Sequence, residues 1–225
     1  GRALAERALG AGAETTLVDL RADSLSDMHG AAECHAMDVA DADAWARLPR
    51  SHSGFDFVAL NAGVMSAPPE APPAASDFLK MDIGGYRRVM RVNVDGVVHG
   101  VRRLVPELRE GGAIVATSSG TGLVGYAPDV AYSMSKHAVV ALVRGVAPLL
   151  DRAKKRQRIC AICPGGVRTG IVPAAFRDTK MMEPSVIADE IAALWLDGHN
   201  GDVMAKMRPE LPALRIDEPE LPAWW

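Results

Sequence analysis

Tyr132 and Lys136 have the residue types and the spacing of a proton-transfer pair. Residues four apart lie on one face of a helix, with Cβ atoms roughly 5–6 Å apart. A phenol with an ordinary pKa of about 10 is a poor base near neutrality, but a neighbouring ammonium favours the phenolate. We therefore expect Lys136 to lower the pKa of Tyr132 and make it a general acid/base. The same spacing is common on solvated helix faces, so the surrounding sequence must decide.

Apolar runs typical of buried strands alternate with helical patterns around this pair. The predicted strands are residues 15–18, 34–37, 55–60, 113–116 and 159–162. The predicted helices are residues 2–9, 41–48, 86–108, a helix that carries Tyr132 and Lys136 to about Ala147, and 187–196. Such alternation is typical of a parallel sheet covered by helices on both faces. The sequence therefore predicts an α/β fold, a doubly wound parallel sheet in three αβα layers, forming a single domain over residues 1–225.

A polar residue or a proline turn follows each predicted strand. These residues are Asp19, Asp38, Asn61, Ser119 and Pro164. In parallel sheets, ligands bind beyond the carboxyl ends of the strands. Core packing does not require a polar residue at every strand end, so the pattern predicts a binding site at this edge.

Composition excludes several classes of function. The net charge of −3 and the pI near 6.1 argue against a nucleic-acid or anionic-membrane surface. No apolar run reaches the roughly 20 residues that span a bilayer. Three cysteines indicate reduced thiols and a cytoplasmic location. Cys160 and Cys163 have CxxC spacing, but residues three apart in a strand point to opposite faces, so we expect no metal site or disulfide there.

Five segments, in this order and spacing, resemble the short-chain dehydrogenase/reductase family. They are Asn61-Ala-Gly63, Asn93-Val-Asp-Gly96, Ser118-Ser119, Tyr132-x-x-x-Lys136 and Pro164-Gly-Gly-Val-Arg-Thr169. The resemblance extends from Gly1 to about Leu196. It implies a Rossmann-type fold and an NAD-dependent oxidoreductase that transfers a hydride between a secondary alcohol or ketone and nicotinamide.

The resemblance also implies four catalytic roles. Tyr132 would be the general acid/base, and Ser119, thirteen residues before it, would hydrogen-bond the substrate oxygen. Lys136 would lower the pKa of Tyr132 and bind the nicotinamide ribose. Asn93 would hold a water that relays protons past Lys136, and a local helix distortion is expected at the same residue.

The cofactor contacts implied by the resemblance begin at Asp19. A carboxylate there hydrogen-bonds the ribose hydroxyls and repels a 2′-phosphate, which favours NAD, although nearby Arg21 keeps NADP open. Asp38 and Val39 would contact the adenine. The remaining implied contacts lie beneath the adenosine and around the nicotinamide and phosphates: Asn61, Ala62, Gly63, Pro164, Gly165, Val167 and Thr169.

The chain opens differently from the family pattern. Gly1 matches the last glycine of a loop whose backbone amides bind the cofactor's pyrophosphate at a helix N-terminus. The family places a central strand and the rest of that loop before this glycine. We therefore expect the natural protein to have roughly a dozen or more residues before Gly1.

Residues of about 170–184 should form a lid over the substrate. The apolar residues in it are Ile171, Val172, Phe176, Met181 and Met182. They favour a small hydrophobic alcohol or ketone as substrate, although packing of the lid itself explains them equally well. The proline-rich tail of about 207–225 should form no long regular elements.

Two other functions stay open at this stage. One is an NADP-dependent carbonyl or 3-oxoacyl-carrier-protein reductase, against which Asp19 argues. The other is a non-catalytic dinucleotide-binding regulator, which would need a broken set of Ser119, Tyr132 and Lys136. By resemblance, helices of about 86–108 and 133–147 would pair between subunits of a homodimer or homotetramer.

Overall fold

The computed structural model describes residues 1–49 and 54–220, in which strands alternate with helices. The helices are α1 (Arg2–Gly10), α2 (Ala42–Arg47), α3 (Ile83–Met90), α4 (Gly96–Leu104), α5 (Val130–Ala153) and α6 (Pro184–Asp197). The strands are β1 (Thr16–Asp19), β2 (Glu33–Ala36), β3 (Phe55–Leu60), β4 (Leu108–Thr117), β5 (Arg158–Pro164), β6 (Val203–Lys206) and β7 (Leu214–Arg215). All five predicted strands are present within a few residues of their predicted bounds. The last five residues of the predicted tail, 221–225, lie outside the described part.

The strands form a parallel arrangement with one antiparallel edge. β1 pairs with β2, and β3, β4, β5 and β6 follow one another in parallel. β7 pairs antiparallel with β6. The predicted parallel sheet is confirmed. The strand expected before Gly1 stays a prediction.

Alternation along the strands builds two separate apolar layers. Ile114 and Ile159 pack on one face with residues of α4 and α5. Val115 and Ile162 pack on the other face with residues of α6. Because successive strand residues point to opposite faces, one sheet buries helices on both sides. The predicted three-layer αβα arrangement is confirmed.

The same alternation separates the two cysteines of the CxxC segment. Cys163 belongs to the layer under α4 and α5, and Cys160 belongs to the layer under α6. Both thiols are free, as is Cys34. Within residues 1–49 and 54–220, no cluster of His, Cys, Asp or Glu side chains is arranged to hold a metal. No helix of the described part is long and apolar enough to cross a membrane.

The long helix predicted for residues 86–108 is interrupted where the sequence indicated a distortion. A π-helical turn, Arg91–Asp95, joins α3 to α4 and contains the buried Asn93. A short 3₁₀ turn, Val105–Glu107, then leads into β4. Single π-helical turns inside α-helices are frequent at functional sites.

The structure also differs from the prediction in three places: β4 begins at Leu108 and not at residue 113, the Tyr132 helix is longer, and β6 is an additional strand. The Tyr132 helix continues past Ala147 and through Pro148 to Ala153, because Leu150 packs in the core beyond the proline. β6 was not predicted at all. Asp202 directly precedes β6 and Lys206 ends it, and such charged residues are rarely buried unless they are paired.

Candidate active site

The start of α5 sets the position of the proton-transfer pair. Asp129 is the N-cap, and its carboxylate accepts a hydrogen bond from the Tyr132 N–H at 3.0 Å. Tyr132 is 9% exposed and Lys136 is 3% exposed. The Lys136 ammonium lies 5.6 Å from the centroid of the Tyr132 ring. Both groups therefore lie on the buried face of one helix and not on a solvated one.

Hydrogen bonds hold both the side chain and the main chain of Lys136. Its Nζ donates to the carbonyl oxygen of Thr117 at 2.9 Å, and its own carbonyl accepts from Ser118 Oγ at 2.8 Å. Gly63 leaves the space in front of the ammonium, because a Cβ there would lie 3.2 Å from Nζ. Thr117 and Ser118 thus fix the lysine, while the absent side chain of residue 63 keeps its head group accessible.

Burial dominates the proton affinities of the pair. It raises the pKa of Tyr132 to about 12, while a hydrogen bond with Ser119 acts in the opposite direction. It also lowers the pKa of Lys136 to about 8. The net pKa of Tyr132 is therefore raised, and not lowered as expected from a neighbouring ammonium. Removing both groups from water disfavours the phenolate and the ammonium alike.

Ser119 is arranged as a donor next to the phenol. Its Oγ accepts hydrogen bonds from the N–H of Thr121 at 3.2 Å and from the hydroxyl of Thr121 at 3.1 Å. Its own O–H is left to donate, which agrees with its effect on the pKa of Tyr132. Ser118 instead donates its hydroxyl hydrogen to the carbonyl oxygen of Lys136. Of the two neighbouring serines, Ser119 is thus the one that can bind a substrate oxygen.

Asn93 fastens the segment after β3 to the π-helical turn. Its side-chain oxygen accepts from the Val64 N–H at 2.8 Å, and its amide donates to the Val64 carbonyl and to Ser135 Oγ, both at 2.9 Å. Both amide hydrogens are therefore used. A relay water near Asn93 could be held only as a donor to a carbonyl oxygen.

Asp129 and Ser66 form a buried contact that the sequence reasoning missed. Ser66 donates to the Asp129 carboxylate through its hydroxyl at 2.5 Å and through its N–H at 2.9 Å. The signal available in the sequence was an aspartate three residues before Tyr132, at the start of an apolar helix, which is a favoured N-cap. Nothing local in the sequence predicted the partner Ser66.

The acidic residues after β1 and β2 lie at the carboxyl edge, as expected. Asp19 ends β1 and accepts from the Arg21 N–H at 3.0 Å, and Asp38 accepts from the Ala40 N–H at 2.9 Å. Val39 is pressed against α4, where a Cβ on Gly96 would lie 2.9 Å from Val39 Cγ2. The glycine at position 96 therefore allows this loop to approach the helix.

Asn61 connects neighbouring strands at the same edge. Its side-chain oxygen accepts from Thr117 Oγ1 at 3.1 Å, which joins the ends of β3 and β4. Gly1, the N-cap of α1, lies beside it, since a Cβ on Gly1 would be 3.6 Å from the Asn61 amide nitrogen. Ala62 and Gly63 follow directly and lead to the Lys136 ammonium.

The turn after β5 is tied to the neighbouring strand and to the lid. Pro164 ends β5, and the Gly165 N–H donates to the Lys206 carbonyl at 2.8 Å. Val167 pairs with Met182 across an isolated bridge. Met182 is 1% exposed and belongs to the core under α6, so packing accounts for this apolar lid residue.

A half-open depression of about 290 Å³ lies along the lid. It is lined by Arg168, Thr169, Gly170, Val172, Arg177 and Met181. Its arginines are engaged, with Arg168 paired to Glu183 and Arg177 paired to Glu70. Among the described residues, those that line the depression belong to the lid and the turn after β5 and not to α5. Ile171 and Phe176 are each 38% exposed.

The chain matches known families and proteins along most of its length. A family model described as enoyl-(acyl carrier protein) reductase matches residues 1–193. The chain is 33% identical to 3beta-hydroxysteroid dehydrogenase 2 of Eggerthella lenta over 185 residues, which cover 76% of this chain and 68% of that protein. It belongs to the short-chain dehydrogenase/reductase family. This short-chain dehydrogenase/reductase is also 38% identical to (-)-trans-carveol dehydrogenase of Rhodococcus erythropolis over 123 residues, 52% of this chain and only 40% of that protein.

Solved structures share the fold of this short-chain dehydrogenase/reductase. BdcA in complex with NADPH superposes with a TM-score of 0.79 at 22% identity, covering 93% of this chain and 88% of BdcA. A 3-oxoacyl-[acyl-carrier protein] reductase with bound NAD from Brucella melitensis superposes with a TM-score of 0.78 at 25% identity, covering 92% of this chain and 85% of that one. Proteins of this fold thus bind either dinucleotide.

The carboxyl edge of this short-chain dehydrogenase/reductase fits a nicotinamide dinucleotide. Lys136 is a nearly fully buried ammonium whose Nζ makes one hydrogen bond within the described residues, to Thr117. Gly63 keeps the space beside it open. A buried ammonium without a carboxylate partner is unfavourable unless a ligand completes its hydrogen bonds. Lys136, with Asp19 and Asn61 along the same edge, is suited to the ribose hydroxyls of such a ligand.

Proposed function

We propose that this chain is an NAD-dependent dehydrogenase that interconverts a secondary alcohol and a ketone. The observation that supports it best is the buried pair of Tyr132 and Lys136, in which the ammonium lies 5.6 Å from the centroid of the phenol ring and Ser119 is close enough to hydrogen-bond the phenol. A purely structural cluster would pair the buried ammonium with a carboxylate. The named relatives are dehydrogenases of alcohols, which agrees with this class of substrate.

Tyr132 is the proton-transfer group in this proposal. With its pKa raised to about 12, the phenol is protonated at neutral pH and can donate to the oxygen of a ketone. Ser119 binds the same oxygen and orients it toward the phenol. In the opposite direction the phenolate takes the hydroxyl proton, and Lys136 compensates its charge. When bound, a nicotinamide would supply the hydride chemistry, and the residues of the chain would bind and orient it.

In this proposal the remaining site residues bind the cofactor or relay protons. Lys136 also holds the nicotinamide ribose, and Asn93 orders a relay water through a carbonyl oxygen. Asp38 and Val39 contact the adenine, and Asn61, Ala62 and Gly63 pass beneath the adenosine. Gly1 at the N-terminus of α1 and the turn after β5, with Pro164, Gly165, Val167 and Thr169, would hold the phosphates and the carboxamide.

NAD is favoured over NADP by the charges near β1. Asp19 would repel a 2′-phosphate. The guanidinium of Arg2 is occupied by Asp27, at 2.7 and 3.1 Å, and by the Ser24 carbonyl at 2.6 Å. Arg21 is the neighbouring cation that supports the alternative, an NADP-dependent carbonyl or 3-oxoacyl-carrier-protein reductase.

The proposed substrate is a small hydrophobic alcohol or ketone. Ile171 and Phe176 present apolar surface in the lid, and Met207 adds to it beside the catalytic serine. A Cβ on Gly120, the residue after Ser119, would lie 2.9 Å from Met207 Cε. Met207 is itself 49% exposed, so it offers an apolar side chain next to the proposed oxygen-binding group.

Location and assembly belong to the same proposal. The three free thiols agree with a cytoplasmic enzyme. A homodimer or homotetramer built on α3, α4 and α5 is proposed from the resemblance alone, and a mass measured by light scattering tests it. The extent of a single domain over residues 1–225 is likewise proposed.

Turnover by a Tyr132→Phe variant tests the proposed function. The substitution removes only the phenol oxygen, so we expect NAD-dependent oxidation of secondary alcohols to fall about 100-fold or more, the range of general acid/base contributions. NADH binding, measured by fluorescence titration, should persist. Tyr86→Phe removes a phenol from α3 and serves as the matched control. Undiminished turnover by Tyr132→Phe would contradict the mechanism, and NADH binding without turnover of any alcohol would indicate a non-catalytic regulator.

A further inference from the structure

Asp129 carries three hydrogen bonds from two parts of the chain. Its Oδ1 accepts from the Tyr132 N–H at 3.0 Å and from the Ser66 hydroxyl at 2.5 Å. Its Oδ2 accepts from the Ser66 N–H at 2.9 Å. The residue is 1% exposed. Three hydrogen-bond donors therefore converge on the two side-chain oxygens of one buried residue.

Ser66, the partner of Asp129, belongs to the loop that follows residues 61–63. We call residues 61–63 the cofactor bed, because they are proposed to lie beneath the cofactor. Residues 64–66 come directly after Gly63, which faces the Lys136 ammonium. Asn93 holds Val64, and Arg88 of α3 donates to the carbonyl oxygens of Met65 and Ser66, each at 2.9 Å. The loop is therefore fixed at every residue, and the hydrogen bonds between Ser66 and Asp129 join it to the N-cap of α5.

We propose that Asp129 is a positioning residue of the active site, which locks the loop after the cofactor bed to the helix turn that carries Tyr132. This inference rests on the proposed function. An ordinary N-cap would need only the bond to Tyr132. The two bonds to Ser66 add a second task, which is to fix the phenol relative to a cofactor bound over Gly63.

The charge of Asp129 also acts on the phenol. Burial is the largest cause of the raised pKa of Tyr132, and the Asp129 carboxylate raises it further. The other groups that face this phenol are Ser119 after β4, Lys136 on α5 and Tyr126 before it. Arg88 is the cation that contacts the loop, through the Ser66 carbonyl oxygen, and the short helix Pro73–Ser76, which contacts Ala127–Asp129, contains no ionisable residue.

Two substitutions distinguish the N-cap role of Asp129 from its contact with Ser66, which we call the lock. Asp129→Ser keeps a good N-cap residue for the Tyr132 N–H but is too short to hold Ser66 as well. Ser66→Ala keeps the carboxylate and the cap and removes one bond. We expect kcat to fall about tenfold in Asp129→Ser and about threefold in Ser66→Ala, with the double variant no worse than Asp129→Ser, because contacting residues are not additive. NADH affinity should change less than kcat.

The pH profile provides a readout that a purely structural cap would not move. Removing a negative charge near the phenol favours the phenolate, so the pKa of Tyr132 falls. In Asp129→Ser and in Asp129→Asn, alcohol oxidation should therefore reach half of its maximum at a lower pH, by roughly half a unit to one unit. Asp82→Ser, at the exposed N-cap of α3, is the matched control and should change neither kcat nor the profile.

Amide hydrogen exchange tests the lock without relying on turnover. Residues 64–66 and 130–133 should lose protection together in Ser66→Ala and Asp129→Ser, and not in Asp82→Ser. A lowered melting temperature with unchanged kcat, pH profile and loop protection would overturn the proposal, because Asp129 would then be a cap only. A parent protein without alcohol turnover would refute the proposed function, and the exchange data would still decide whether Asp129 couples the two segments.

Discussion

At the scale of single residues, the burial of Lys136 that the proposed chemistry requires lowers the free energy of unfolding. Burial disfavours the Lys136 ammonium, whose Nζ has one main-chain acceptor within the described residues, and lowers its pKa to about 8, so that it stays mostly protonated at neutral pH but less strongly than in water. Unfolding restores an ordinary pKa near 10.5. The unfolded chain therefore binds more protons between pH 8 and 10.5, and the free energy of unfolding rises with pH over this range.

Lys136→Met should remove this pH dependence along with catalysis. We expect the wild-type protein to gain roughly 2–3 kcal/mol relative to the variant between pH 7.5 and pH 10.5, the linkage expected from the shift in pKa. Urea unfolding at several pH values measures the difference. Lys155→Met, at an exposed lysine, should run parallel to the wild type. Parallel behaviour of Lys136→Met would show that the ammonium is hydrated and not buried.

At the scale of elements, substitutions of two helical glycines test how closely α4 packs on β3. A Cβ on Gly100 of α4 would lie 2.6 Å from Leu60 Cδ2 and 3.1 Å from Trp45 Cη2, whereas nothing lies within 4 Å of a Cβ on Gly145 of α5. Gly100→Ala should therefore destabilise the protein by about 1–3 kcal/mol through overpacking. Gly145→Ala, as its matched control, should stabilise it by up to about 1 kcal/mol through helix propensity. Chemical unfolding measures both, and equal effects would mean that α4 does not pack closely on β3.

Most elements, but not all, were predictable from local pattern. The strands with continuous apolar runs, such as β3 and β5, were found because burial on both faces leaves a clear signal. β6 was missed because its burial depends on distant charges: Lys206 pairs with Glu190 at 2.9 Å, and Asp202 lies 3.3 Å from Arg215. The Ser66–Asp129 contact was missed for the same reason, since it joins residues 63 positions apart. The predicted direction of the shift in the pKa of Tyr132 was wrong, because the spacing of residues in the sequence identifies a neighbouring charge but not how deeply the phenol is buried.

At the scale of the whole molecule, the proposed cofactor would contact several separate segments of the chain. Its proposed ligands lie on the loops after β1, β2, β3 and β5 and at the N-terminus of α1. A dinucleotide that binds the folded chain and not the unfolded chain stabilises the fold by RT ln(1 + [L]/Kd).

We expect NADH at a hundred times its Kd to stabilise the protein by about 2.7 kcal/mol, which raises the melting temperature by roughly 5–10 °C for a chain of this size. NADPH at the same concentration should raise it less, because Asp19 opposes a 2′-phosphate. Asp19→Asn should narrow the difference between the two dinucleotides, since it removes the repelling charge and keeps the side-chain size. Asp23→Asn, a nearby exposed carboxylate, is the control and should preserve the difference. A larger shift with NADPH in the unsubstituted protein would instead assign the chain to the NADP-dependent reductases, with Arg21 as the cation that accepts the phosphate.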